Sequence, residues 1–171
     1  MNCTKSSGGP VQTAPATLND MHVAAPVTGW AETPGAYQGF TVATFDSFFY
    51  DPTYITYHTL VSGFITIYQN ATAAETLTVK AIVMDYGTAA NAAAIWDTIT
   101  EDRALHNHMV QIPGFTSCAI GSQMYHELYV FAHLEKFYIE LDVKEANESD
   151  SVAMLDACQF MTKYKSVTGA Q

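Results

Sequence analysis

Alternation of apolar and polar residues is the strongest signal in the chain, and it is concentrated after Gly63. From 137 to 144, Phe137, Ile139, Leu141 and Val143 alternate with Tyr138, Glu140, Asp142 and Lys144, the period-two pattern of a half-buried strand. Met124 to Ala132 alternates in the same way, so the two runs, joined near Leu134-Glu135-Lys136, predict a β-hairpin. Leu77, Val79, Ala81 and Val83 alternate with Thr78, Lys80 and Ile82 to give a further strand. The β-branched and aromatic run Phe64-Ile65-Thr66-Ile67-Tyr68 gives another. After Gly87 the period changes. Thr88 is placed to cap a helix over about 89–105, in which Ile95, Trp96 and Ile99 form an apolar stripe among alanines. Ser149 or Ser151 opens a second helix over about 150–165, with Asp150 at its positive end and Ala153, Ala157, Phe160, Met161 and Tyr164 along one side. The order strand, strand, helix, strand, strand, helix predicts an α+β domain: a mostly antiparallel sheet with both main helices packed on one face.

The first half is less regular. Residues 1–20, with Pro10 and Pro15 and no periodicity, read as a flexible tether, which leaves 21–171 as a single domain without internal repeats. Met21 to Ala36 carries Pro26, Gly29, Pro34 and Gly35 and predicts an irregular or edge segment anchored by Trp30. Tyr37 to Tyr50 has room for a short strand, and Tyr54 to Leu60 fits helix and strand equally well. The start of the chain is similar to that of bacterial lipoproteins. An acylated Cys3 would be followed by the small, polar leash Thr4-Lys5-Ser6-Ser7-Gly8-Gly9-Pro10, although Asn2 departs from the small residue usual before such a cysteine.

Composition narrows the partners. Hydrophobic residues make up 49% of the chain, enough for a full core, whereas charged residues make up only 14%. Thr, Ser, Asn, Gln and Tyr must therefore finish much of the surface, which is more common outside the cell. Asp and Glu number 17 against 7 Lys and Arg, a net charge of −10. Nucleic-acid binding needs clustered cations that no stretch supplies, and the same deficit argues against attraction to anionic lipids. No apolar run reaches the length of a membrane span, so a lipid on Cys3 is the one membrane attachment the sequence suggests.

Candidate chemistry is sparse. If Cys3 is acylated, Cys118 and Cys158 form an even pair, and an oxidising compartment would permit a disulfide between them; buried reduced thiols account for the same pair. No Cys-x-x-Cys motif is present. His106 and His108, flanking Asn107, could supply two metal ligands from an extended segment, with Glu101, Asp102 or Glu127 as carboxylates, but three or four ligands must converge. Hydrogen-bonded surface histidines explain the same residues. Asn-x-Ser/Thr occurs at Asn2, Asn70 and Asn147, a motif short enough to arise by chance. The carboxylates Glu101-Asp102 and Glu140/Asp142 fall on polar faces, where solvation is the ordinary explanation. There is no nucleophile elbow and no phosphate-binding glycine loop, so no catalytic residue and no cofactor is assigned.

The run from Val79 to Trp96, a strand ending at Met84, a turn, and a helix opening near the pair Asn91-Ala92, resembles the uncharacterised exported bacterial domain-of-unknown-function family 6599. The aromatic segment Tyr54 to Phe64 and the hairpin-plus-helix ending at Lys165 sit where that family would place them. The resemblance spans roughly residues 30–165, and its motifs are structural. The chain departs from the family pattern at Phe48-Phe49-Tyr50-Asp51-Pro52, where such domains often carry a glycine-rich helix entry. The resemblance implies export and an α+β fold, and it brings no catalytic residues.

Aromatic residues crowd the stretch between Tyr37 and Tyr68. Core packing accounts for many. Phe48, Phe49, Tyr50, Tyr54 and Tyr57, around Pro52, are the candidates for partner contacts. The sequence thus predicts an extracytoplasmic, non-catalytic binding or assembly module: a lipoprotein-like accessory subunit that attaches to an exported protein or to copies of itself. An apolar-ligand carrier with a cavity between helices and sheet is the alternative. A metal protein or enzyme built on His106 and His108 is a third.

Overall fold

A computed structural model describes residues 15–22, 27–47, 49, 59–70, 77–104, 108–115, 119–124, 127–144 and 150–169. The described chain begins with a one-turn helix, α1 (Leu18–Met21), closed by a capping box in which Thr17 and Asp20 each accept from the other's backbone. Ala16 and Met21 are buried. Packing therefore starts ahead of the 21–171 boundary read from the sequence, because Leu18 to Met21 carries its own cap and an apolar residue to bury.

Eight strands among the described residues form one sheet: β1 (Trp30–Glu32), β2 (Gln38–Thr41), β3 (Ser62–Asn70), β4 (Leu77–Asp85), β5 (His108–Gln111), β6 (Ala119–Met124), β7 (Glu127–Leu134) and β8 (Phe137–Lys144). Every pairing is antiparallel, in the order β1-β3-β4-β8-β7-β6-β5, with β2 also on β3. A 3₁₀ turn (Val42–Ser47) follows β2, and the two long helices are α2 (Ala89–Ala104) and α3 (Asp150–Thr168). The α+β architecture, the mostly antiparallel sheet and the two main helices are as expected. Thr88 Oγ1 accepts from the Asn91 amide and caps α2. Among the described residues no helix is long and apolar enough to cross a membrane.

Two expectations change. The single strand read over Met124 to Ala132 is two strands, with Met124 of β6 paired to Glu127 of β7. The helices also lie on opposite faces, not one. On face A, Val79, Ala81 and Val83 of β4, Ile139, Leu141 and Val143 of β8, and Leu128, Val130 and Ala132 of β7 meet Ala153, Ala157, Phe160, Met161 and Tyr164 of α3. On face B, Ile82 and Met84 of β4, Tyr138 of β8 and Phe131 of β7 meet Ala92, Ile95 and Ile99 of α2, joined by Phe40 and Phe45. The cause is visible in β4: both sets of alternating positions are apolar at its C-terminal end, so both faces there need a cover.

Close approach constrains this core at Gly63. A Cβ there would lie 2.4 Å from the Phe40 ring and 2.7 Å from the Val83 carbonyl oxygen, so only glycine lets β2 seat Phe40 on face B. At the end of the hairpin, Lys136 Nζ reaches Asp85 Oδ2 at 2.6 Å while the Gly87 amide donates to Asp85 Oδ1 at 2.8 Å, which satisfies a carboxylate that is only 8% exposed.

Candidate functional site

Face B divides into two halves along the strands. The upper half lies under α2 and the 3₁₀ turn. In the lower half, strand register arranges the side chains as a grid. Ile67 (β3), Lys80 (β4), Asp142 (β8) and Tyr129 (β7) form one row; Gln69, Thr78, Lys144 and Glu127 form the next. These are the alternate positions of the same strands whose apolar residues build face A, so one periodicity makes both surfaces. Ile67 is 36% exposed. The side chains of Lys144, Glu127 and Asp142 retain 50%, 30% and 18% of their exposure, so solvent reaches the grid.

The grid is internally bonded. Lys144 Nζ lies 3.0 Å from Glu127 Oε1 and 3.6 Å from Asp142 Oδ2, and the Tyr129 hydroxyl donates to Glu127 Oε2. The Tyr129 bond, followed by the one from Lys144, holds the Glu127 carboxyl below its ordinary range. Burial pushes Asp142 the other way, upward, against the pull of Lys144 and Lys80. Burial and then the bond to Glu127 raise the Tyr129 phenol, which therefore stays a donor at neutral pH. Lys80 and Lys144 balance Glu127 and Asp142. The patch is thus neutral within a chain of net charge −10. Asp142 Oδ1 is buried without a hydrogen-bond partner, and Lys80 makes no salt bridge among the described residues.

At the border with the covered half, the Tyr138 hydroxyl donates to Glu140 Oε1 at 2.7 Å, and the Arg103 guanidinium near the end of α2 sits 5.7 Å from the Phe131 ring centroid. The carboxylates face lysines, which balance their charge, and a phenol, which donates a hydrogen bond to Glu127. A second polar contact lies at the rim of face A, where His22 Nε2 is 2.5 Å from Glu32 Oε2 and its ring packs 4.2 Å from that of Tyr37. It fastens the end of α1 to β1.

Of the residues singled out from the sequence, Phe49, His108 and Cys158 lie among the described residues. His108 opens β5, exposed and opposite Gln123, while His106 lies outside the described residues. Among the described residues no three His, Cys, Asp or Glu side chains are grouped to hold a metal. Phe49 stacks on Phe45 at 4.7 Å and meets Phe40 at 5.3 Å, inside the face B cluster. Phe48, Tyr50, Tyr54 and Tyr57 lie outside the described residues. Cys158, on α3, is disulfide-bonded; the other two cysteines, Cys3 and Cys118, lie outside the described residues. The face B grid was not singled out, although Asp142 was noted on a polar face. The available signal was the pairing of that face with Lys80.

No protein-family model matches the chain, and no curated protein matches it by sequence. Among solved structures, the extracellular domain of PknH from Mycobacterium tuberculosis is similar at a TM-score of 0.45, with 9% identity over 80% of this chain and 81% of that one. Nothing about function transfers at that distance.

Proposed function

We propose that this domain is a non-catalytic, extracytoplasmic binding and assembly module whose working surface is the lower half of face B. The observation that carries the reading is the neutral grid of Lys80, Lys144, Glu127, Asp142 and Tyr129 beside exposed Ile67, in a chain of net charge −10. A protein partner meets there an apolar contact and paired charges, without the one-sign field that surrounds the rest of an acidic chain. Export is supported by the disulfide at Cys158, since such bonds persist in oxidising compartments. We assign its partner as Cys118: the Cys158 sulfur lies 3.8 Å from the Pro113 carbonyl oxygen, and Phe115 and Ala119, which bracket Cys118, pack in the same cluster as Cys158. A lipid on Cys3 would make the module a tethered accessory subunit.

A photo-reactive residue in place of Ile67 tests the surface in cells that produce the chain. The expected result is covalent adducts at that position and none from the same residue in place of Leu155, which is exposed on α3. Adducts at neither position, or equally at both, contradict the reading. Peptide mapping without reduction should recover Cys118 linked to Cys158.

A further inference from the structure

We propose that the partner of this surface is a second copy of the chain, docked face to face about a two-fold axis that runs along the strands between β4 and β8. The proposal rests on the binding reading above and names its occupant. Rotation about that axis keeps the rows of the grid and exchanges its columns, so β4 faces β8 of the second copy and β3 faces β7. Lys80 then stands opposite Asp142 of the second copy, and Asp142 opposite its Lys80. Ile67 meets Tyr129, Thr78 meets Lys144, and Gln69 meets Glu127. Every contact forms twice by symmetry and no like charges meet.

Within the grid, Lys80 makes no salt bridge among the described residues, and this arrangement supplies one from the 18% of the Asp142 side chain of the second copy that stays exposed. A two-fold axis across the strands would instead set Ile67 against Gln69 and Lys80 against Thr78, which buries an isoleucine on an amide and leaves the lysine unmatched. Two chains of −10 repel at a distance. At physiological salt the Debye length is about 8 Å, so the contact charges decide, and these sum to zero. Eight side chains make an interface smaller than the roughly 800 Å² per partner of stable complexes, so the dimer is weak and reversible.

Sedimentation velocity of the full chain over a concentration series tests this. A reversible monomer–dimer equilibrium is expected. Lys80→Asp and Asp142→Lys should each weaken it at least tenfold, and an equimolar mixture of the two variants should restore it, because each new charge then faces its opposite. Ile67→Glu should also weaken it, whereas Leu155→Glu should leave it unchanged, with circular dichroism confirming that all four variants fold. A chain that stays monomeric throughout, a dimer indifferent to both charge reversals, or a mixture that fails to recover overturns the proposal. If such a result accompanies Ile67 adducts of another protein in cells, the binding surface stands and only its occupant changes. If the adducts are absent too, both fall.

Discussion

Face A and the lower half of face B are built from the same strands, often from neighbouring residues, yet they are finished in opposite ways. On β8, Ile139, Leu141 and Val143 disappear under α3, while Asp142, between Leu141 and Val143, and Lys144, just beyond, stay in reach of water. Face A is held by bulk: Phe160 of α3 sits edge-on to Trp30 at 5.3 Å and against Tyr68 at the same distance. The lower half of face B is held by nothing comparable, only by bonds among its own charged and phenolic groups. Exposed ion pairs of that kind contribute about 0–1 kcal/mol each, so the fold gains little from them. The difference teaches that the grid is not a requirement of the core and is available for contact.

Three sets of substitutions sharpen the contrast. Phe160→Ala on face A should cost about 3–5 kcal/mol in denaturant unfolding, through lost burial and the cavity left between Trp30 and Tyr68. Gly63→Ala, on the covered half of face B, should cost about 1–3 kcal/mol by displacing Phe40, with a lower urea midpoint and an unchanged m-value.

In the open half, Asp142→Asn and Glu127→Gln should each shift stability by less than about 1 kcal/mol, with opposite pH dependence. The folded pKa of Asp142 is raised, chiefly by burial, so its contribution is fully present below the unfolded value and lost as pH rises through the folded one. Asparagine removes that loss, giving a small gain at neutral pH that vanishes on acidification. The folded pKa of Glu127 is lowered, so its contribution is present above the unfolded value and lost as pH falls through the folded one. Glutamine therefore costs stability at neutral pH and little in acid. Urea titrations between pH 3 and 7 read both signs.

Long periodic segments were legible in the sequence for a physical reason: many positions vote for one period. The five inward residues read for the last helix, Ala153, Ala157, Phe160, Met161 and Tyr164, are all buried. Short elements carry fewer votes. Strands β1 and β2 exist through pairing with the distant β3, which local pattern does not register, and β5 is only four residues long. The break between β6 and β7 falls at Tyr125-His126, which carries no glycine, proline or asparagine to mark it. The placement of the helices on two faces was hinted by Ile82 and Tyr138 on the nominally polar sides of β4 and β8. The grid itself depends on which half of face B α2 leaves uncovered, a tertiary outcome that alternation alone does not determine.

Hydroxyl-radical footprinting, comparing the purified monomer with the same chain in the cells that produce it, tests the central claim most directly. The account predicts that Tyr129 and Ile67 lose reactivity in the cellular setting while Leu155 and Val61 keep theirs. Unchanged reactivity at Tyr129 and Ile67, or protection centred on Leu155, would contradict it.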